Sequence, residues 1–456
     1  MVTEARSDAD GPPPWRDVFR GRRGRLTSGL LLLEALVAIQ LLVVATIMPD
    51  VSRDLGLVEL YGLAFTAGSL ASFAAIPIAG RAVDRFRPRN VLLPVLGLFA
   101  AGLVVSATAP TMPVVIAGQF LQGAGGGGLY AMSLGTVAKT YPDRLRPRVL
   151  ALLATMWILP GLVGPPLGAL VASTLWWRFA FLVPIPILVL AWFLVAPALD
   201  LVPRAQQRRE AIPIRWPLQL MFGAGLAFTA LTFVRPWALL MIVVGLAAAV
   251  PALVRIVPRG TFSASPGIPA SALSAFLLSV GLLSMDAFLT LMLTGVRGLT
   301  LAEASVAITA ATIALGIGSM WQSGRAERIA LTRLMLLGTV LVIAGEAAVA
   351  TTLSTNVPVA IAYVGWTVVG AGMGTAFPTI PLAAMRQANA GEESSELSSV
   401  LLMDMLGVAT GAGLGGGAVA LAHASGAPLA AGIGGAYAIG LAALLLLTFT
   451  GRRITG

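Results

Sequence analysis

Four carboxylic acids stand inside long apolar stretches of this chain, where a carboxyl group has unusual chemistry. They are Glu34, Asp286, Glu346 and Asp404. An acid at the centre of a lipid bilayer costs about 2.5–3.5 kcal/mol on insertion scales, and no Lys or Arg lies deep within these stretches. A carboxyl without a cationic partner in a low-dielectric layer favours its neutral form. Such a group can load and release a proton as its exposure changes.

The four acids differ in their predicted depth. Asp286 lies closest to the middle of its stretch, whereas Glu34 and Asp404 lie toward the predicted cytoplasmic side and Glu346 toward the outer side. We therefore expect Asp286 to be the main proton-coupling residue and the other three to be further candidates. The alternative for each acid is a carboxyl that reaches the membrane interface or bonds a nearby Ser or Thr.

The apolar stretches that carry these acids are predicted to be transmembrane helices. Of the 456 residues, 57% are hydrophobic and 11% are charged, whereas soluble domains have about 25% charged residues. About 20 apolar residues cross the hydrocarbon layer as a helix, so we predict an all-α polytopic membrane protein with about fourteen spans. The predicted spans are residues 28–48, 61–79, 91–109, 113–137, 149–173, 179–198, 217–233, 237–257, 271–294, 301–321, 334–353, 357–378, 397–423 and 428–449.

Arginine residues alternate between the predicted loops. The N-terminal segment, the C-terminus and most loops that follow even-numbered spans are rich in Arg, and the other loops are poor in it. The weakest cases are the loop after the eighth span, with two Arg, and the loop after the twelfth, where Arg386 stands with three Glu. Since positively charged loops remain in the cytoplasm, both termini are predicted to be cytoplasmic in a multi-pass protein of the plasma membrane. The preference for Arg over Lys points to a genome rich in G and C, and we expect a bacterial source.

Composition excludes several kinds of site. The chain has no Cys, so disulfide bonds, thiol chemistry and Cys-based metal sites are impossible. The single His, His423, is predicted in a short loop, so we expect no metal site. The net charge is +10, but the basic residues are scattered through short loops, where they act as orientation signals. We expect no cofactor and no nucleic-acid partner.

The fifth predicted span is interrupted by small residues and prolines. Gly161, Gly164, Pro165 and Gly168 stand at a spacing that lets a second helix approach closely. A bent helix in lipid also needs a neighbour that satisfies its freed backbone groups. The stretch is therefore predicted to be a tight seam between two helices.

The fourth span carries a glycine-rich run after two glutamines, Gln119 and Gln122. From Gly123 onward this run of Gly and Ala lacks bulky side chains, so a neighbouring helix can slide against it. We predict that this neighbour is the 161–168 seam of the fifth span. A phosphate-binding glycine loop is rejected because the run lies within an apolar span and no Lys and Ser/Thr follow it.

The loop after the second span has a distinctive spacing of Gly, Asp and Arg. We expect Gly80 to let the chain leave the helix and Asp84 to accept hydrogen bonds from neighbouring donors. Arg85 and Arg89 are expected to anchor the loop at the cytoplasmic surface. A degenerate copy, residues 323–328, follows the tenth span.

Together these motifs resemble those of the major facilitator superfamily. Residues 80–89 resemble its G-x-x-x-D-R-x-G-R-R loop, and residues 161–168 resemble the G-x-x-x-G-P-x-x-G sequence of its proton-exchanging exporters. Residues 40–49 and 176–181 resemble segments of its fourteen-helix drug:proton antiporters. The resemblance implies the major facilitator fold, with two six-helix bundles plus two inserted helices. The implied division is a tail at 1–27, a bundle at 28–198, a linker with the extra helices at 199–257, a bundle at 271–449 and a tail at 450–456.

The resemblance implies a monomer in the lipid bilayer that exports amphipathic or hydrophobic small molecules in exchange for protons. Two departures leave an alternative open. Gln119 stands where the family has an Arg that handles protons, and Gln40 stands where the antiporters have an Asp. The alternative is an uncoupled or differently coupled carrier. A polytopic membrane enzyme is a further alternative, but the lone His and the short outer loops do not favour it.

Overall fold

Every regular element in the described part of the computed structural model is a helix. The described residues are 18–19, 21–141, 145, 149, 152–153, 156, 158–197, 199, 213–233, 235–387 and 393–455. The first seventeen residues of the predicted N-terminal tail lie outside them.

The helices fall into a first half, an inserted pair and a second half. The first half comprises α1 (Gly21–Leu55), α2 (Tyr61–Arg85), α3 (Pro88–Ala107), α4 (Met112–Thr140), α5 (Ile158–Thr174), α6 (Trp177–Ala180) and α7 (Pro184–Val195). The inserted pair is α8 (Arg215–Thr232) and α9 (Pro236–Ile256). The second half comprises α10 (Ile268–Leu291), α11 (Leu301–Ser323), α12 (Leu331–Thr351), α13 (Ala360–Ala376), α14 (Thr379–Gln387), α15 (Glu393–Ala424) and α16 (Leu429–Thr450). A π-helical turn, Met292–Val296, extends α10.

Each predicted span overlaps a described helix. The sixth span overlaps α6 and covers α7, and the twelfth covers α13, while α14 lies beyond its predicted end. Of the fifth span, residues 158–173 lie in α5. Eleven stretches of described residues are long and apolar enough to cross a membrane, and α5, with 17 described residues, is a shorter apolar helix. The predicted all-α polytopic membrane fold is confirmed.

We call the end of the bundle where α1 ends and α2 begins the outer end, and the opposite end the inner end. The two halves meet at the outer end. Gly62 of α2 packs so closely on α15 that a Cβ on Gly62 would lie 2.6 Å from the carbonyl oxygen of Ala412. One turn deeper, Thr66 donates a hydrogen bond to the carbonyl oxygen of Ala409 at 3.3 Å. Helices α5 and α11 form a second contact between the halves.

The predicted pairing of the α4 glycines with the 161–168 seam is wrong. The α4 glycines face α2 and α3: Gly123 packs against Gly68 of α2, and a Cβ on Gly125 would lie 2.6 Å from the backbone nitrogen of Phe99. The reason is geometric, because α4 is the common neighbour of α2 and α3 in the first half, while α5 packs on α1 and α11.

The loop motif after α2 also differs from expectation. Helix α2 continues through Gly80 and ends at Arg85, so Gly80 is not the residue at which the chain leaves the helix. The turn is at Phe86 and Arg87, which are both extended, and Pro88 begins α3. A residue before proline is pushed out of the helical region, so Pro88 sets the end of the helix.

The inserted pair packs against both halves. Helix α8 contacts α2 and α15 as well as its partner α9. Gly223 of α8 and Gly245 of α9 allow the close approach, since a Cβ on either would lie 2.6 Å from the carbonyl oxygen of the other. The ring of Phe228 on α8 lies against Gly413 of α15. Helix α8 therefore lies across the line where α2 meets α15.

Candidate functional site

Asp286 and Glu346 come together in the second half, near the outer end. Asp286 lies on α10 and Glu346 on α12, and the two carboxyl groups are close enough to interact electrostatically. Tyr437 of α16 interacts with both acids, and Tyr61 of α2 interacts with Asp286 and Tyr437. We call these four residues the acid–tyrosine cluster. The structure therefore brings two of the four predicted acids into one group.

Burial leaves several polar atoms of this cluster without partners. Glu346 is 0% exposed, and neither of its carboxyl oxygens has a hydrogen-bond partner in the described part of the chain. The hydroxyl groups of Tyr61 and Tyr437 are likewise buried and unpartnered there. Asp286 is only partly buried. An unsatisfied buried polar group is destabilising by about 1–3 kcal/mol, so this arrangement indicates a functional site.

Small residues explain why α10, α12 and α16 can bury a carboxyl between them. Gly281 of α10 faces Gly440 of α16, where a Cβ on Gly440 would lie 2.7 Å from the Gly281 carbonyl oxygen and 3.5 Å from Oε2 of Glu346. Gly345 faces Gly365 of α13 at similarly close range. The close approach of these backbones shields Glu346 from solvent.

Tyr61 is the member of the cluster that comes from the first half. Its ring lies 5.5 Å from that of Phe288 on α10 and 5.7 Å from that of Phe65 on α2, measured between centroids. It stands next to Gly62, where α2 touches α15. The cluster therefore spans the contact between the two halves at the outer end.

The other two acids form a separate group nearer the inner end. Asp404 of α15 is buried and accepts a hydrogen bond from the Ser279 hydroxyl group of α10, as the alternative interpretation of an acid bonded to a nearby Ser expected. Glu34 of α1 is also buried. Tyr130 of α4 lies within electrostatic reach of both carboxyl groups. This inner group therefore also includes residues of both halves.

The glutamines of α1 and α4 form a neutral hydrogen-bond network. Nε2 of Gln40 donates to Oε1 of Gln122 at 2.6 Å. Nε2 of Gln122 in turn donates to Ser106 Oγ at 2.9 Å and to the Gly102 carbonyl oxygen at 3.1 Å. Oε1 of Gln40 and Nε2 of Gln119 are buried without a partner in the described residues. This network can orient a polar group, but it cannot exchange a proton at ordinary pH.

The 161–168 seam has two different neighbours. A side chain on Gly161 would overlap Thr312 of α11, across the two halves. Gly164 and Gly168 face Leu42 and Val43 of α1, where an added Cβ would lie 3.4 and 3.3 Å from the nearest atom, an ordinary and a slightly tight contact. Pro165 is buried in the same helix. Only Gly161 therefore lies at the contact between the halves.

An outer clasp, formed by Asp54, Ala109, Trp177 and Arg178, holds the first half together. Trp177 Nε1 and Arg178 Nη1 each donate to Asp54 Oδ2 at 3.0 Å. Arg178 Nη2 donates to the carbonyl oxygen of Ala109 at 2.8 Å. These bonds tie the end of α1 to the α3–α4 connection and to α6. The sequence motif at 176–181 identified the Trp and Arg, but it gave no sign of Asp54.

An outer crevice lies between the halves, with a volume of about 320 Å³. Arg53 and Val58 line it from the first half, and Thr294 and Ala427 from the second. His423 Nε2 and Glu59 Oε2 lie 4.0 Å apart across the halves. His423 is in the last turn of α15 and not in a loop. In the described residues no group of three or more His, Asp or Glu side chains is placed to hold a metal ion.

The two arginines of the loop motif, Arg85 and Arg89, lie at the protein surface. The guanidinium group of Arg85 lies 5.7 Å from the Phe86 ring centroid, and Arg89 is exposed. The side chain of Asp84 lies outside the described residues, so its predicted hydrogen bonds remain a prediction.

Sequence reasoning missed the three tyrosines that accompany the acids. Tyr61, Tyr130 and Tyr437 stand in apolar helices, where a tyrosine is more simply interpreted as core packing or as an interfacial anchor. Two weak patterns in the sequence could have drawn attention to them. Tyr61 stands two residues after Glu59 at the start of a span, and Tyr437 is flanked by small residues. Neither pattern separates them from structural tyrosines.

Comparison with known proteins identifies the family to which the chain is similar. Residues 30–296, more than half of the chain, match the family model described as Major Facilitator Superfamily. The multidrug transporter protein MdtP of Bacillus subtilis is 24% identical over 381 residues, covering 80% of this chain and 69% of that protein. The probable multidrug-efflux transporter Rv1634 of Mycobacterium tuberculosis is 27% identical over 482 aligned positions, covering 98% of each chain.

Solved structures give the same fold. A POT family peptide transporter superposes with a TM-score of 0.69 at 14% identity, covering 94% of this chain and 97% of that one. A D-xylose–proton symporter superposes with a TM-score of 0.66 at 14% identity, with the same coverage. At such low identity the likeness concerns the arrangement of the helices alone.

Proposed function

Because the chain belongs to the Major Facilitator Superfamily, we propose that it exports amphipathic organic compounds in exchange for protons. The chain is a multi-pass membrane transporter, so the alternative of a membrane enzyme is set aside. Relatives named as multidrug transporters support export of chemically diverse compounds. The small, apolar and aromatic character of the spans also suits such substrates.

The observation that carries proton coupling is the pairing of Asp286 with Glu346. Glu346 is fully buried with both carboxyl oxygens unpartnered in the described residues, and Asp286 beside it is partly exposed. Two carboxyl groups at close range disfavour simultaneous ionisation, so the pair retains a proton when one of them is charged. Asp286 is the member that exchanges protons with water, because Glu346 has no exposed surface.

Such a pair can convert the proton gradient into uphill export. A proton that enters down the membrane potential supplies about 2.3 kcal/mol per 100 mV. In an alternating-access cycle the pair takes up a proton from outside and releases it inside. Substrate binds the deprotonated transporter from inside and is carried outward in the other half of the cycle.

We place the outer end outside the cell and both termini in the cytoplasm of a bacterium, and we propose that a monomer suffices. The alternation of Arg between loops supports this orientation. Relatives in Bacillus and Mycobacterium support a bacterial plasma membrane. The proposed cycle uses the proton gradient as its energy source and needs no cofactor.

Transport into inside-out vesicles under an imposed pH gradient tests the proposal. The probes are ethidium as a cation, chloramphenicol as a neutral compound and carboxyfluorescein as an anion. We expect Asp286→Asn to abolish gradient-driven accumulation while downhill exchange continues in part, since Asn keeps the size of the side chain but cannot release a proton. Matched variants are Glu346→Gln, Glu34→Gln and Asp404→Asn.

The outcomes separate the candidate acids. If Asp286→Asn still concentrates a probe and one of the matched variants does not, the proton site belongs to that other residue. If all four variants concentrate the probes as the parent does, proton coupling through these acids is wrong.

A second candidate function is an uncoupled or differently coupled carrier. The neutral network of Gln40, Gln119 and Gln122 favours it, because the first half offers amides where the antiporters have an Asp and an Arg. The two functions differ in one measurement. A carrier of the second kind equilibrates ethidium across the vesicle membrane but does not concentrate it when a pH gradient is imposed.

A further inference from the structure

We propose that Tyr61 is a latch that keeps the outer end closed while Asp286 is deprotonated. This proposal rests on the proposed function, because it assigns to one residue the link between the proton site and the contact of the two halves. It concerns a hydroxyl group that the transport cycle described above does not use.

The position of Tyr61 is the first part of the argument. Tyr61 begins α2 at the outer end, is 0% exposed, and has no hydrogen-bond partner for its hydroxyl group in the described residues. Its ring packs on Phe288 of the other half. Asp286, one helical half-turn from Phe288, interacts with the Tyr61 hydroxyl group electrostatically. Tyr61 is thus a first-half side chain placed among second-half acids.

The chemistry of the hydroxyl group is the second part. A phenol donates one hydrogen bond, and a bond to an ionised carboxylate is roughly twice as strong as one to a neutral group. A deprotonated Asp286 therefore attracts the Tyr61 hydroxyl group and pulls the outer ends of α2 and α10 together. Protonation of Asp286 weakens this attraction and allows the halves to separate at the outer end.

The consequence for exchange is the third part. An antiporter dissipates the proton gradient if it opens outward without substrate while deprotonated, binds a proton, and then opens inward again. A latch that holds only in the deprotonated state prevents the empty transporter from opening outward. The outer end then opens only when substrate binding drives it. Tyr61 would thus prevent a proton leak without itself carrying a proton.

Other titratable and charged groups lie near the latch or on the helices packed around it. Glu346 and Tyr437 lie within the cluster itself. Glu59, Arg53 and His423 lie at the outer surface around the crevice. Asp50 of α1 pairs with Arg53, and Arg297, which follows α10, donates to the carbonyl oxygens of Thr352, Ser354 and Val357. Toward the inner end, the neighbouring helices carry Asp404, Glu34, Tyr130, Lys139 and Arg215.

Tyr437 provides a matched control. Its hydroxyl group is buried and unpartnered in the described residues, as that of Tyr61 is, and it also interacts with Asp286. Tyr437 lies on α16, in the same half as the acids. Its attraction to Asp286 therefore acts within the second half and does not draw α2 toward α10.

The experiment compares Tyr61→Phe with Tyr437→Phe in proteoliposomes that hold a pH-sensitive dye. Phe keeps the ring that packs on Phe288 and removes only the hydroxyl group. Without any substrate, we expect Tyr61→Phe to raise the proton leak at least fivefold over the parent and clearly more than Tyr437→Phe does.

A distance measurement reports the outer closure directly. The chain has no Cys, so spin labels attach only at introduced cysteines, placed at Val58→Cys and Ala427→Cys on opposite sides of the crevice. In the parent and in Tyr437→Phe, raising the pH should shift the label pair toward short distances. In Tyr61→Phe the distance distribution should no longer depend on pH.

Two outcomes overturn the latch. One is a Tyr61→Phe protein that keeps the parent's pH-dependent distances, and the other is one that shows no extra leak. Failure of the proposed function gives a different result: the parent itself then fails to concentrate ethidium under a pH gradient, and its label distances do not respond to pH.

Discussion

At the scale of single residues, the amide network of the first half has one central member. Gln122 bonds Gln40, Ser106 and the Gly102 carbonyl oxygen, and so joins α1, α3 and α4. Gln119, one turn earlier on the same helix, already has an unpartnered Nε2 in the described residues. Replacing Gln122 therefore leaves buried groups without a hydrogen-bond partner, whereas replacing Gln119 breaks no hydrogen bond of its amide nitrogen.

We expect Gln122→Leu to lower stability by about 1–3 kcal/mol, because Gln40 and Ser106 lose their partner in a buried site. Thermal unfolding of the purified protein in detergent measures the change. Gln119→Leu is the control and should cost clearly less, since its amide nitrogen leaves no broken bond behind. Equal losses in the two variants would contradict a central role for Gln122.

The acids show how far single residues can be predicted. An acid in an apolar span stands out because its insertion is costly, so Asp286 and Glu346 could be identified from the sequence. Their pairing depends on the depth and rotation of α10 and α12, which no local pattern encodes. Tyr61 and Tyr437 became visible only through burial, because a tyrosine in a helix carries no such cost.

At the scale of helices, the seam in α5 divides into a contact with α1 and a contact with α11. Gly161 meets Thr312 of the other half, whereas Gly164 faces α1 at an ordinary distance. If the helices of one half move together in the proposed cycle, we expect the packing around Gly161 to change during transport and that around Gly164 to stay the same.

We expect Gly161→Ala to impair transport and Gly164→Ala to be tolerated. The added methyl group on Gly161 overlaps Thr312, and overpacking typically costs about 1–3 kcal/mol, which is enough to shift two conformations separated by a few kcal/mol. Ethidium efflux from intact cells, normalised to protein in the membrane, measures the effect. Loss of transport in Gly164→Ala alone would place the moving contact on α1 instead.

Helix partners were the part of the fold that the sequence specified least. The periodic runs of apolar residues located the spans because length and hydropathy are local properties. The predicted close contacts occur at Gly123 and Gly125 of α4 and at Gly161 of α5, but not at Gly164. A glycine in the sequence does not identify the helix that packs against it. The partner is decided by tertiary arrangement, which placed α4 between α2 and α3.

At the scale of the whole molecule, the charge pattern makes a prediction about sidedness. Tags at residue 10 and after Gly456 should both be protected in intact cells, and a tag inserted between Ala424 and Pro428 should be accessible to an impermeant reagent. The physical reason is that Arg-rich loops stay in the cytoplasm. Opposite labelling of the two termini would mean an odd number of spans and would remove the proposed architecture.

The fold as a whole was predictable from the sequence, since fourteen apolar runs, alternating charge and the motifs at 80–89 and 161–168 all agree with one architecture. Two extra helices were predicted within 199–257, and α8 and α9 lie inside this range, but their place in the bundle was not predicted. That place depends on the small residues of α8 and α15, which are inconspicuous until the two helices are side by side.

The position of the inserted pair makes the wall of the transporter uneven around its circumference. Along the line where α2 meets α15, α8 packs on both helices and α9 packs on α8. Along the line where α5 meets α11, the apolar side chains of Leu162, Leu170, Ile313 and Ile317 are exposed. We therefore expect a hydrophobic compound dissolved in the lipid to reach the α5–α11 line more directly than the α2–α15 line.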